Sequence, residues 1–214
     1  MRREPGGRRV YRSRAVRRRR GLLAAFIIIG AATVLAVAGT SGSRDLVKYD
    51  RAAAATYADA WALSDNPAYW ASADNDCANF VSQCVAAGGL RPTVGSGQDW
   101  HANGGDFPTV GWVNVDRQWA AWSAAADGQS SPYIVQSSAH RPRGWAAGDV
   151  VYLGNTVNGE REWQHVIICV GREHGEWVYD SHTVAHRRQP METWYPAHFS
   201  LIRYCRLADS VAYR

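Results

Sequence analysis

The residues best suited to chemistry lie in the run Asp76-Cys77-Ala78-Asn79-Phe80-Val81-Ser82-Gln83-Cys84. Asp76 reads as the N-cap of a helix, which puts Cys77 in the first turn. A thiol there feels the positive end of the helix dipole, which lowers its pKa and favours the nucleophilic thiolate. Phe80, Val81, Cys84 and Val85 recur at helical spacing and anchor the segment to a core, and Gly88-Gly89 stops it. The bland alternative makes Cys77 an ordinary buried cysteine or half of a disulfide. Cys84 is not its partner, because two turns of one helix hold the pair too far apart. Cys169 and Cys205, in apolar strand-like segments, are able to pair or to stay as thiols.

A cysteine nucleophile needs an imidazole within reach, and the imidazole needs an orienting group. Among seven histidines, His165 stands out inside the apolar run 164–170. A second strand-like run, 177–183, follows after a short connection. A four-residue loop at 172–175 would set His165 opposite His182, with Asp180 two residues along on the same face. An odd loop length would bring Ser181 or Thr183 opposite instead. Parity thus leaves His182 as a candidate orienter with Asp180 as the alternative third member, and the choice turns on the loop length. His182 and His186 stand four apart, a zinc spacing on a helix but not in a strand and its following turn, so no metal is expected. Trp100 and Trp112, beside glycine-rich stretches, are candidates to line a groove for a sugar or peptide.

These groups must be held by surrounding elements. Residues 45–63 are alanine-rich with an apolar stripe and read as a helix, ended by Asn66-Pro67. A second helix covers 77–87. Residues 88–111 read as a long glycine-rich loop, and the tryptophan-rich stretch 112–126 as a third helix. Runs rich in Val, Ile, Tyr and Trp at 149–153, 164–170, 177–183 and 199–207 read as strands. Helices first and an antiparallel sheet second predict a single α+β domain over 45–214.

The charge of the 214-residue chain is split. Residues 1–20 carry ten arginines and one glutamate, whereas the remainder carries 14 basic and 18 acidic residues. The folded part is thus mildly acidic, which argues against a nucleic-acid-binding domain. Residues 21–39 are uncharged and strongly apolar, long enough as a helix to span a membrane. The expectation is an Arg-rich cytoplasmic tail (1–20), a transmembrane signal-anchor (21–39), a polar linker (40–44) and an exported domain. The alternative is a signal peptide cleaved near Ala38, after Ala36-Val37-Ala38. Both put the domain outside the cytoplasm.

The string DCANFVSQC followed by AAGG, with YDRAAAATYA upstream, resembles the putative amidase domain family. That family is similar to papain-like cysteine hydrolases and to peptidoglycan peptidases of the NlpC type, in which an Asp-Cys pair opening a helix precedes a Gly-Asp strand and a histidine strand. Here Gly148-Asp149-Val150-Val151-Tyr152-Leu153 and His165-Val166-Ile167-Ile168 follow in that order. The resemblance covers about residues 49–206. It implies helices packed on a small antiparallel sheet and a cofactor-free hydrolase of amide or peptide bonds, with peptidoglycan as the substrate class. In it Cys77 attacks, His165 carries the proton and His182 orients the imidazole, with the Cys77 amide as half of an oxyanion hole. Asp76 and Gln83 support the site. A family string Ser-His-Thr is present here as Ser181-His182-Thr183, while the usual Asn-Asp-Arg that follows is replaced by Val184-Ala185-His186-Arg187. An amide-forming acyltransferase with the same chemistry, and a catalytically silent wall-binding module, are the rival functions.

Overall fold

The computed structural model describes residues 44–94, 99–126 and 128–213, all within one compact unit that begins at Ser41. The Arg-rich tail, the apolar segment 21–39 and most of the linker lie outside the described residues. Among the described residues, no helix is long and apolar enough to cross a membrane.

The architecture is α+β with antiparallel pairing throughout. The stretch expected to be one helix from residue 45 opens as a short strand, β1 (Asp45–Lys48), paired with β8 (Ser210–Tyr213). Helix α1 (Arg51–Trp61) follows, its first turn capped by Asp50, whose carboxylate accepts from the Ala53 amide. Helix α2 (Cys77–Ala87) lies where the sequence places it. The tryptophan-rich stretch forms two helices, α3 (Val110–Val113) and α4 (Val115–Ser123), split at Asn114, which caps the second through the Arg117 amide.

The main sheet has six strands in the order β2-β7-β3-β4-β5-β6. These are β2 (Ile134–Ser138), β3 (Val150–Val157), β4 (Glu160–Glu173), β5 (Glu176–Ser181), β6 (His186–Pro190) and β7 (Leu201–Leu207). Strands β3 and β4 turn at Asn158-Gly159 and β4 and β5 at His174-Gly175, with positive φ at all four residues, the geometry of two-residue hairpins. One face carries Val150, Tyr152, Val166, Ile168 and Val178 against α1, α2 and α4. The other carries Val151, Leu153, Ile167, Cys169 and Tyr179 against α5 (Met191–His198) and Trp145.

Asp149, of the Gly-Asp pair, is a structural staple. Its buried carboxylate pairs with Arg51 on α1 and accepts from the amides of Ala146 and Leu207 at 2.9 Å each. Arg51 also donates to the Leu207 carbonyl at 2.6 Å, so one ion pair ties the first helix to the end of β7. All four cysteines are free and buried, so Cys169 and Cys205 do not form a disulfide.

Candidate active site

Helix α2 begins beside Thr183, just past the end of β5. Asp76 stands at the N-cap position, but its carboxylate takes none of the helix amides. Oδ1 accepts from Ser72 N at 2.9 Å and Asn79 Nδ2 at 2.8 Å, and Oδ2 faces His182 Nδ1 at 2.8 Å. The cap comes from elsewhere in the chain. Thr183 Oγ1 accepts from the amides of both Asp76 (2.9 Å) and Cys77 (3.1 Å). The Cys77 amide, expected to face an oxyanion, is thus engaged by Thr183.

The Cys77 side chain is fully buried. Burial raises its pKa, against the lowering pull of the Val166 amide, the Thr183 hydroxyl and the Ala78 amide, while the charge of Asp76 raises it further. The net direction is upward, so the thiolate expected from the helix dipole is corrected to a protonated thiol. Desolvation outweighs the dipole here because no solvent reaches the sulfur. Cys77 is buried in one cluster with Val166 of β4, the residue that follows His165.

His165 is 4% exposed and projects to the α5 side of the sheet. Its ring lies parallel to Phe199 (5.9 Å between centroids, 6° between planes) and near Tyr195 (6.2 Å). Its Nε2 is buried without a hydrogen-bond partner. Burial, helped by the charge of His186, pushes its pKa down to about 4, so the ring is neutral above that pH.

The expected facing of His165 and His182 is corrected by the register. The hairpin turn has two residues instead of four, and a bulge between Cys169 and Gly171 leaves Ile168 opposite Asp180. Extended further, that register would bring Thr183 level with His165. Strand β5 stops at Ser181, and His182 leaves the sheet to lie flat on Phe80 of α2 (4.1 Å, 13°). Its Nε2 faces the Trp61 carbonyl at 2.8 Å and its Nδ1 the Asp76 carboxylate, with Asp65 at 3.9 Å. Burial works against a charge on this ring, but the hydrogen bonds to Asp76 and Trp61 win and its pKa is raised. Both nitrogens face oxygens that only accept, which suits an imidazolium. Asp65, Asp76 and His182 cluster closely enough to suggest a metal site. The ring has no lone pair to give one, since both nitrogens are committed as donors.

Asp180 is buried opposite Ile168 on the helix-facing side, away from the face that His165 occupies. Its Oδ1 accepts from Arg188 N at 2.6 Å and its Oδ2 is unpartnered; burial pushes its pKa up to about 7. Gln83 accepts from the Tyr57 hydroxyl at 2.7 Å and ties α2 to α1, remote from any groove. Trp100 and Trp112 are corrected outright: both are buried and line no groove. Their indoles donate to Ser82 Oγ (2.7 Å) and Asn79 Oδ1 (2.8 Å), bracing the underside of α2. A 220 Å³ cavity opens beside the helix start, walled by Asp65, Ser72, Asp76, His182 and Thr183 among others. Thr183 had no expected role at the site, although it closes the Ser-His-Thr string.

The sequence pattern of the putative amidase domain matches residues 48–202, from just before α1 into β7. The chain belongs to that family. Membership points to amide hydrolysis as the activity of this amidase domain. A relative from Bacillus subtilis (strain 168), "Uncharacterized protein YhbB", is 31% identical over 134 residues, which cover 60% of this chain and 39% of that protein. The amidase domain therefore spans well under half the length of this relative. No solved structure matches the chain.

Proposed function

We propose that the domain is an extracytoplasmic cysteine hydrolase of the papain-like type, acting on amide bonds of peptidoglycan stem peptides. The observation that carries the reading is the seat of Cys77: the first residue of α2, buried in one cluster with Val166 of β4, the residue after His165. At rest the thiol is protonated and the imidazole neutral, each on its own face of the sheet. In the attack the sulfur bonds to the carbonyl carbon and the thiol proton goes to His165, whose ring turns from the α5 side of the sheet to reach it. The proton then passes to the departing amine, and water cleaves the thioester to free the acid. His182 holds the helix start through Asp76 and does not orient His165. The exported location and the wall substrate rest on the apolar segment 21–39 and on the family resemblance.

Complete burial of the thiol favours a second reading, the catalytically silent wall-binding module. One experiment separates them. Full-length protein is incubated with peptidoglycan fragments, product amines are quantified, and the acyl-enzyme is sought by mass. Cys77→Ala should abolish turnover and the adduct with the fold kept, because no other group forms the intermediate. Wild-type turnover in Cys77→Ala would refute the cysteine mechanism, and no turnover in any form would favour the binding module.

A further inference from the structure

Three features converge on Thr183, which the hydrolase mechanism leaves without a chemical role. Its backbone has φ of 74°, in the left-handed region where a β-branched residue is a clear outlier. Such conformations persist where surrounding contacts over-determine them, and they gather at functional sites. The contacts are present: the preceding His182 is pinned by Asp76, by the Trp61 carbonyl and by the face of Phe80. The hydroxyl itself is fully specified. Oγ1 accepts from the amides of Asp76 and Cys77, which uses both lone pairs of a hydroxyl oxygen. One proton remains, and Oγ1 stands 3.1 Å from the amide of Cys77, the residue that bears the sulfur.

Resting on the cysteine-hydrolase reading, we infer that Thr183 is the positioning residue of Cys77: it caps the amides at the helix start and turns its hydroxyl proton to the sulfur, holding the nucleophile in place and easing its ionisation. A cap alone would need no particular donor. An N-cap serine or aspartate would serve the amides one turn in, of Ala78 or Asn79, so those of Asp76 and Cys77 need an acceptor from outside the helix. The helix start is left to a hydroxyl from across the fold, which serves two amides and keeps its proton for a further acceptor.

The test reads the thiol directly and needs no substrate. Full-length protein is labelled with iodoacetamide at pH 7.5, and the Cys77 peptide is followed by mass to separate it from the other three cysteines. Thr183→Val keeps the shape and removes the hydroxyl; it should label several-fold more slowly, the thiolate fraction falling by about tenfold while the more basic thiolate gains some nucleophilicity. Thr183→Ser should label at the wild-type rate. Where the valine protein does not fold, Thr183→Ala relieves the β-branched strain, admits water to both amides and carries the same expectation. A purely structural cap predicts the opposite sign, since loosening the helix start exposes the thiol and speeds labelling. Labelling of the valine or alanine variant at or above the wild-type rate would overturn the inference. Failure of the hydrolase reading would register separately, as turnover that survives Cys77→Ala.

Discussion

Replacing His165 by phenylalanine should abolish hydrolysis and yet make the protein harder to unfold, most of all in acid. The ring sits among aromatic neighbours, parallel to Phe199 and near Tyr195, with a buried nitrogen that has no partner. A phenyl ring fills the same slot and removes the unsatisfied atom, a gain of about 1 kcal/mol at neutral pH. Protonation contributes more. Burial holds the folded-state pKa at about 4, against about 6.5 in the unfolded chain. Below pH 6.5 the unfolded state takes up a proton that the folded state refuses, so stability falls as pH drops towards 4 and levels off below it. Integrated over that window the penalty is about 3 kcal/mol. The phenylalanine variant escapes it. Its advantage should grow from about 1 kcal/mol at pH 7.5 to about 4 kcal/mol at pH 4, which for a domain of this size is a melting-temperature difference of roughly 10 °C. Urea unfolding of both proteins at the two pH values, followed by tryptophan fluorescence, measures the difference. An advantage independent of pH would refute the neutral, buried histidine.

The same neutral ring places the acid limb of kcat/KM near pH 4, so activity should persist at pH 5, where an ordinary histidine is mostly charged; a limb near pH 6.5 in the pH–rate profile would contradict it. Arg51→Ala should cost about 3–5 kcal/mol at pH 7.5 by stranding the Asp149 carboxylate, and less at pH 4, where the unfolded carboxyl is also partly protonated; chemical denaturation at both values checks the slope. Gly154→Ala should destabilise by about 2 kcal/mol, because the added Cβ would stand 2.1 Å from the Glu162 carbonyl, a backbone atom with little room to retreat; thermal melts report it.

Helix α2 was legible because its signals are local: apolar residues at helical spacing, a break before it and a glycine pair after it. The strands around His165 were legible as strands for the same reason. The pairing between them was not. Parity arguments assume unbroken alternation, and two irregularities intervene. Between Leu153 and Gly154 the register of β3 and β4 shifts, so that Trp163 packs on the helix side while His165 turns towards α5. Beyond Cys169 a second bulge resets the pairing with β5. Each extra residue exchanges the two faces, and nothing in composition marks where it is inserted. The roles of Asp76 and Thr183 were hidden for a related reason. An aspartate before a helix is normally its cap, but here its carboxylate is committed to a histidine 106 positions away, and a threonine takes the amides of Asp76 and Cys77. Trp100 and Trp112 misled because glycine-rich flanks suggest exposure, whereas here the loop folds both indoles under α2.

The paired indoles beneath that helix have an optical consequence. Trp100 and Trp112 are stacked with centroids 4.8 Å apart, and Trp122 and Tyr133 meet Trp100 edge-on at 5.4 Å and 5.6 Å. Chromophores this close share their excitation, so the near-ultraviolet circular dichroism of the protein should be dominated by coupled transitions rather than by a sum of separate tryptophans. Each stacked ring is hydrogen-bonded to a side chain of α2 one turn or so beyond Cys77, so a tilt of the helix changes the angle between the transition dipoles. The chain thus carries a built-in spectroscopic gauge of the element that bears its thiol, readable without label, substrate or mutation.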